Sequence, residues 1–340
     1  MRATLDFLTA TTLSPLRALT TWAEYARVAA SRRPTTFAHP STVVRTWPAA
    51  RLRAFSPTGP AVPALVLPPL SGHRSTVVDL TDGCSLIGTA LRAGLTGVHC
   101  IEWTPSTAPD VGITDLVAVI DDAVAGLGGR AHLISYSQSG WLAAIVAALH
   151  PERVAGLTAA AAPIDFTLDA PSHRLAAHCP GPRFHPTALA HGVALRAADS
   201  PEECARLADL WTHLGDPARV DAYIALQSWL DAPTGVPAGV YRWTLRHLFA
   251  RNELVRGTLD VGGRVVDLGA ITCPLTLLAG TRDRIVPERQ MWALAEHAST
   301  PADHVTRYRV DTGHLGMITD PDVLDRVWLP ALRRVAASRP

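Results

Sequence analysis

Ala131-His-Leu-Ile-Ser-Tyr-Ser-Gln-Ser-Gly-Trp-Leu-Ala-Ala-Ile-Val-Ala-Ala-Leu-His150 passes from an apolar strand pattern into a helix pattern through a run of small residues. The two periodicities meet at Ser137, which the spacing places on a sharp strand-to-helix turn of the nucleophile-elbow kind. A serine on such a turn stands clear of the sheet, with the positive end of the next helix beneath its hydroxyl. The positions two before and two after an elbow nucleophile are crowded and ordinarily glycine. Here they are Ser135 and Ser139, which predicts a more constrained turn and an altered oxyanion hole.

Two stretches further along supply partners for this serine. Pro274-Leu-Thr-Leu-Leu-Ala-Gly-Thr-Arg-Asp283 reads as a buried strand ending at an acid, and Tyr308-Arg-Val-Asp-Thr-Gly-His314 as a strand ending in a Gly-His turn. Serine, acid and histidine, in that order and each just past a strand, follow the chain order of an α/β-hydrolase triad. Loops at strand ends are where open α/β sheets carry their sites. Ser137, Asp283 and His314 are thus the expected nucleophile, orienting acid and base. Asp311 is the rival acid, and Asp283 is preferred because it follows a strand in the usual acid position.

The expected class is α/β: an α/β-hydrolase fold, with a mostly parallel, doubly wound sheet and an inserted helical cap. Pro63–Leu67 reads as a buried parallel strand, and Thr42–Trp47 with Arg51–Phe55 as an antiparallel pair at the sheet edge. Strands over 97–103 and 154–161 alternate with helices over 83–94 and 114–127. From Asp165 to about Val265 the pattern changes. Prolines and histidines crowd Pro171 to Pro186, and helical segments follow at 202–214, 220–230 and 240–254. The resulting division is an N-terminal helical extension over 1–41, a core over 42–164 and 266–340, and a cap over 165–265 after the sixth strand. Ser14-Pro15 opens a helix whose Leu16, Leu19, Trp22 and Ala26 recur at helical spacing, expected to pack on the body.

Pro68-Pro69-Leu70-Ser71-Gly72-His73 lies where this fold supplies its second oxyanion donor. The expected hole is the backbone N–H of Gln138 with that of Leu70 or Ser71. His73, Trp211, Trp229 and Trp243 form the candidate substrate-pocket set. Each has a plainer role, His73 as a loop or cap residue and the tryptophans as packing, and His314 already fills the base position.

The 340 residues carry a net charge of +1 with no basic block and no lysine at all. Nucleic-acid binding, Schiff-base lysines and P-loop lysines are thereby set aside. Five scattered cysteines show neither a disulfide framework nor metal-ligand spacing. With no signal peptide and no membrane-spanning apolar run, the expected location is the cytoplasm. No cofactor and no metal are expected. The expected partner is a small acyl or polyketide-like substrate, with no nucleic acid and no membrane span, and homodimerisation is left open.

Several phrases together resemble the polyhydroxyalkanoate synthase and intracellular polyhydroxyalkanoate depolymerase branch of the α/β-hydrolases. They are Leu67-Pro-Pro-Leu70, Val78-Asp-Leu80 with Gly83-Cys-Ser85, Ile101-Glu-Trp103, Ala162-Pro-Ile-Asp-Phe166, Arg251-Asn-Glu-Leu254, Val261-Gly-Gly-Arg-Val-Val-Asp-Leu268 and Asp283-Arg-Ile-Val-Pro287. The resemblance implies the same fold and cap, and the triad roles given above. Synthases of this branch carry cysteine at the nucleophile, which suits acyl exchange from coenzyme A thioesters, so Ser137 argues against polymerase activity. The function expected is that of a serine-dependent acyl hydrolase or acyl transferase, an esterase or thioesterase on a hydroxyacyl or polyketide-like acyl substrate. The alternative is a non-hydrolytic enzyme of specialised metabolism that cyclises or couples a bulky polyketide-type product. A catalytically silent binding protein fits the Ser-Asp-His order least well.

Overall fold

The wholly apolar runs of the chain become the middle of one eight-stranded sheet. In the computed structural model, which describes residues 15–59, 61–70, 72–104, 111–167 and 201–337, the strands are β1 (Thr42–Trp47), β2 (Ala50–Ala54), β3 (Ala64–Leu67), β4 (Val98–Trp103), β5 (Ala131–Tyr136), β6 (Val154–Ala160), β7 (Leu275–Gly280) and β8 (Val305–Val310). They lie in the order β1-β2-β4-β3-β5-β6-β7-β8. β3 to β8 run parallel, while β2 is antiparallel to both β1 and β4. The expected edge pair is therefore present, entering the sheet beside β4. A strand covered on both faces has no reason to alternate polar with apolar residues, and β3, β5 and β6 are buried throughout.

The helices named below are α1 (Pro15–Ala30), α2 (Leu86–Arg92), α3 (Ile113–Gly126), α4 (Gln138–Leu149), α5 (Pro217–Leu230), α6 (Ala238–Trp243), α7 (Glu288–His297) and α8 (Leu329–Ala337). Side chains of successive strand residues point to opposite faces, and the two cores divide accordingly. Leu65, Leu67 and Leu133 share one core with α3, α4 and α7. Ala64, Val66, Ile134 and Tyr136 share the other with α2 and the C-terminal helices.

Three segments depart from the sequence expectations. The helix expected from Gly83 starts at Leu86, because Asp79–Thr81 and Cys84–Ser85 first form a short antiparallel ladder around Asp82-Gly83, a turn-forming pair. The Ser85 hydroxyl then caps α2 by accepting from the Gly88 N–H at 2.7 Å. Helix α5 begins at Pro217 rather than Val220, since Asp216 caps it through the N–H groups of Ala218 and Arg219. The helix expected over 240–254 stops at Trp243 and continues as a π-type turn over Thr244–Ala250.

Between β6 and β7 the described helical residues are 201–212, α5, α6 and that turn, followed by a two-stranded ladder of Asp260–Val261 with Arg264–Val265. The Pro- and His-rich stretch 171–186 lies outside the described residues. Asn252, with φ 50°, joins the two ends of this excursion. Its Oδ1 accepts from the Phe166 N–H at 3.0 Å and its Nδ2 donates to Asp165 at 2.8 Å. Helix α1 meets this segment as well. Trp22 and Tyr25 pack on Trp211, Arg32 and Arg33 pair with Asp231 and Asp221, and the Arg33 N–H donates to the Ser228 hydroxyl. Arg32 and Arg33, just past the end of α1, thus find their partners on α5 and the residue after it. Among the described residues, no helix is long and apolar enough to cross a membrane.

Candidate active site

Ser137 sits between β5 and α4 with φ 57° and ψ −128°, a conformation that is sterically costly for a residue with a Cβ. Its N–H donates to the Ala160 carbonyl at 2.8 Å, which ties the turn to the end of β6. The two serines that replace the usual glycines are buried and bonded to backbone. The Ser135 hydroxyl donates to the Thr158 carbonyl at 3.1 Å. The Ser139 oxygen accepts from the Tyr136 N–H at 3.1 Å and reaches the carbonyls of Leu67 and Tyr136. Close approach without a side chain falls instead on Gly140, where a Cβ would overlap the Ala162 methyl in the loop after β6.

The exits of β7 and β8 are fastened together. Thr281 N–H donates to the Val310 carbonyl at 2.8 Å and Arg282 N–H to the Thr312 carbonyl at 3.1 Å. Gly280 permits this, because a Cβ there would come within 2.6 Å of the Thr312 oxygen. The result brings Asp283 to His314, with the His314 Nδ1 2.7 Å from Asp283 Oδ2. Asp283 Oδ1 meanwhile accepts from the N–H groups of Ile285 and Val286, both at 2.8 Å. A carboxylate only accepts, so the imidazole proton resides on Nδ1 and Nε2 presents its lone pair. That nitrogen lies 2.9 Å from the Ser137 oxygen, placed to accept the hydroxyl proton. Ser137, Asp283 and His314 are 6%, 7% and 5% exposed. Burial strengthens each of these contacts and leaves the Asp283 charge fully hydrogen-bonded. Asp311, the rival acid, is exposed and pairs with Arg282 at 3.0 Å.

Gln138 is the first residue of α4, so its N–H belongs to the helical turn that has no intrahelical acceptors. Leu70 lies three residues beyond Leu67, which is in register with Ser135. Ser71 lies outside the described residues. Around Leu70 the loop's carbonyls are held from outside. Pro68 accepts from the Trp103 indole at 2.9 Å, Gly72 from the N–H groups of Thr234 and Gly235, and Arg74 from the Trp229 indole at 2.7 Å.

No family model matches the chain. It is 25% identical over 280 residues to the poly(3-hydroxyalkanoate) polymerase subunit PhaC of Synechocystis sp., covering 75% of this chain and 72% of that protein. Against PhaC of Allochromatium vinosum it is 25% identical over 291 residues, 77% of each. Among solved structures, an alpha/beta fold family hydrolase from Bacillus anthracis superposes with a TM-score of 0.52 at 11% identity, over 87% of this chain and 98% of that one. The chain has the α/β-hydrolase fold.

The α/β-hydrolase scaffold does not gather the four candidate pocket residues at one place. Trp243 stacks on Trp141 of α4 at 6.1 Å and on His247 at 5.0 Å, close behind the elbow. His73 is buried against the Trp229 ring at 4.5 Å, with its Nε2 3.4 Å from the Leu230 carbonyl, so this pair lies where the loop after β3 meets α5. Trp211 faces α1 instead. Among the described residues, no group of three or more His, Cys, Asp or Glu could hold a metal ion. Tyr136 escaped the sequence argument. Its hydroxyl donates to the His314 carbonyl at 2.8 Å and its ring lies 5.3 Å from the imidazole. A tyrosine ending a buried strand gives no sequence signal beyond the presence of its hydroxyl.

Proposed function

We propose that this α/β-hydrolase is a serine-dependent acyl hydrolase or acyl transferase, an esterase or thioesterase acting in the cytoplasm on a hydroxyacyl or polyketide-like substrate under a cap formed by residues 165–265. The observation that carries the proposal is the buried hydrogen-bonded line from the Ser137 hydroxyl through His314 to Asp283. The likeness to PhaC subunits supports the hydroxyacyl class.

In this mechanism His314 Nε2 takes the proton as Ser137 Oγ attacks the acyl carbonyl, and Asp283 stabilises the imidazolium that results. The N–H groups of Gln138 and Leu70 receive the developing oxyanion. Collapse returns the proton from His314 to the departing alcohol or thiol and leaves an acyl-Ser137 ester. His314 then deprotonates water or a substrate hydroxyl, which attacks that ester and frees the acyl group. An oxygen ester lies below a thioester in free energy, so return of the acyl group to a thiol is uphill while transfer to water or an alcohol is not. Serine at this position therefore favours release over repeated thioester exchange.

A fluorophosphonate probe and a p-nitrophenyl 3-hydroxyacyl ester test the proposal. The expected outcome is labelling and turnover in the wild type, loss of both in Ser137→Ala, and a fall in kcat of about 10³ to 10⁴ in Asp283→Asn. A wild type inert to both reagents would sink it. Retained turnover of a natural substrate in Ser137→Ala, with loss in His314→Ala, would assign the site to non-hydrolytic cyclisation or coupling.

A further inference from the structure

We infer that Ser139 is a positioning residue for the oxyanion hole, a hydroxyl strut between the nucleophile turn and the loop that follows β3; the inference rests on Ser137 being the acyl-accepting nucleophile. Ser139 is 1% exposed and is the second residue of α4. Its oxygen accepts from the Tyr136 N–H, so it is fixed to the turn itself. It has one proton to donate and two carbonyls in reach, that of Tyr136 within its own turn and that of Leu67 across on β3. Leu67 is the last residue of β3.

From that carbonyl the chain runs through Pro68 and Pro69 to Leu70. Two consecutive proline rings fix φ and leave little slack, so an anchor at Leu67 is transmitted to the Leu70 N–H. The other proposed donor, Gln138 N–H, is one peptide away from Ser139. A single side chain thus spans the two halves of the hole. Glycine, the ordinary residue here, has no hydroxyl to offer, and the Trp103 indole on Pro68 would remain the nearest side-chain tie. The same serine read only as a helix-end hydrogen bonder would stabilise the fold without touching transition-state charge. The two roles differ in what they do to an oxyanion.

A matched pair of substrates separates them: an oxoester and its thionoester, whose carbonyl sulfur is a poor acceptor for the hole. Ser139→Ala and Ser139→Gly are compared with wild type, with a thermal melt confirming that each is folded. The expected result is a 10- to 100-fold loss of kcat on the oxoester, a KM within about threefold, and a much smaller loss on the thionoester. The oxo-to-thiono preference then shrinks by about tenfold or more. Equal losses on both esters, or no loss in either variant, would overturn the inference while leaving Ser137 as nucleophile. A wild type that takes no phosphonate at Ser137 brings down the parent proposal, and this one with it.

Discussion

Tyr136 stands immediately before Ser137, yet its hydroxyl serves His314. Its bond to the His314 carbonyl holds the loop that carries the imidazole. Tyr136→Phe keeps the ring and removes that bond, leaving a buried carbonyl one donor short, which costs about 1–3 kcal/mol. The expected outcome is a lowered melting temperature and a kcat reduced by about tenfold with KM nearly unchanged, because a mispositioned base affects chemistry more than binding. Unaltered kcat would mean that the loop holds itself. At this scale the sequence was legible where chemistry restricts residue type. That Ser137, Asp283 and His314 lie in one hydrogen-bonded line could be expected, because few residue types fit the proposed roles of nucleophile, acid and base in that order. Gly140 could not, since its constraint comes from Ala162, which approaches from another strand's exit loop. Gly280 was hidden in the same way behind Thr312.

Strand β5 carries a second, purely energetic feature. His132 is buried, and its Nδ1 has no hydrogen-bond partner among the described residues. Burial first, and the Arg130 charge second, push its pKa down from 6.5 to about 4. The folded protein therefore holds this imidazole neutral while the unfolded chain protonates it as pH falls below 6.5. The unfolded state binds more protons between pH 6.5 and about 4, so stability rises with pH across that window and this contribution is flat above it. At about 1.4 kcal/mol per pH unit the window amounts to about 3 kcal/mol. His132→Leu is expected to lose about 2 kcal/mol less than wild type between pH 7 and 4.5 in denaturant titrations. Parallel stability curves for the two proteins would contradict this. Elements were otherwise readable wherever burial on both faces removed alternation, as in β3, β5 and β6. The π-type turns at Thr244–Ala250 and Leu324–Trp328 were not, because apolar spacing in such a turn is nearly that of an α-helix.

Across the whole molecule, Asn252 binds the start of the β6–β7 excursion to its far end. Its left-handed backbone suits Asn or Gly far better than Ala. Asn252→Ala loses two hydrogen bonds and adds that backbone penalty, for a destabilisation of about 2–4 kcal/mol, while Asn252→Gly loses only the bonds. The expected order of stability is Asn, then Gly, then Ala, with faster amide exchange over residues 201–254 in both variants. An alanine variant as stable as wild type would show that the clamp carries no load. The mostly parallel character of the sheet was legible from alternating strands and helices, since such alternation is joined by crossovers of one hand. Contacts between distant stretches, such as Trp211 on Trp22 or Trp229 on Arg74, depend on where whole elements come to rest and leave no local trace.

The backbone at Ser137 has a consequence for the protein's history. At that position the chain keeps a conformation that glycine would find comfortable, on a residue whose proposed role as nucleophile needs its side chain. Durability is given up there so that a hydroxyl can face the imidazole, and a descendant that abandoned the chemistry would be free to relax the turn and gain robustness.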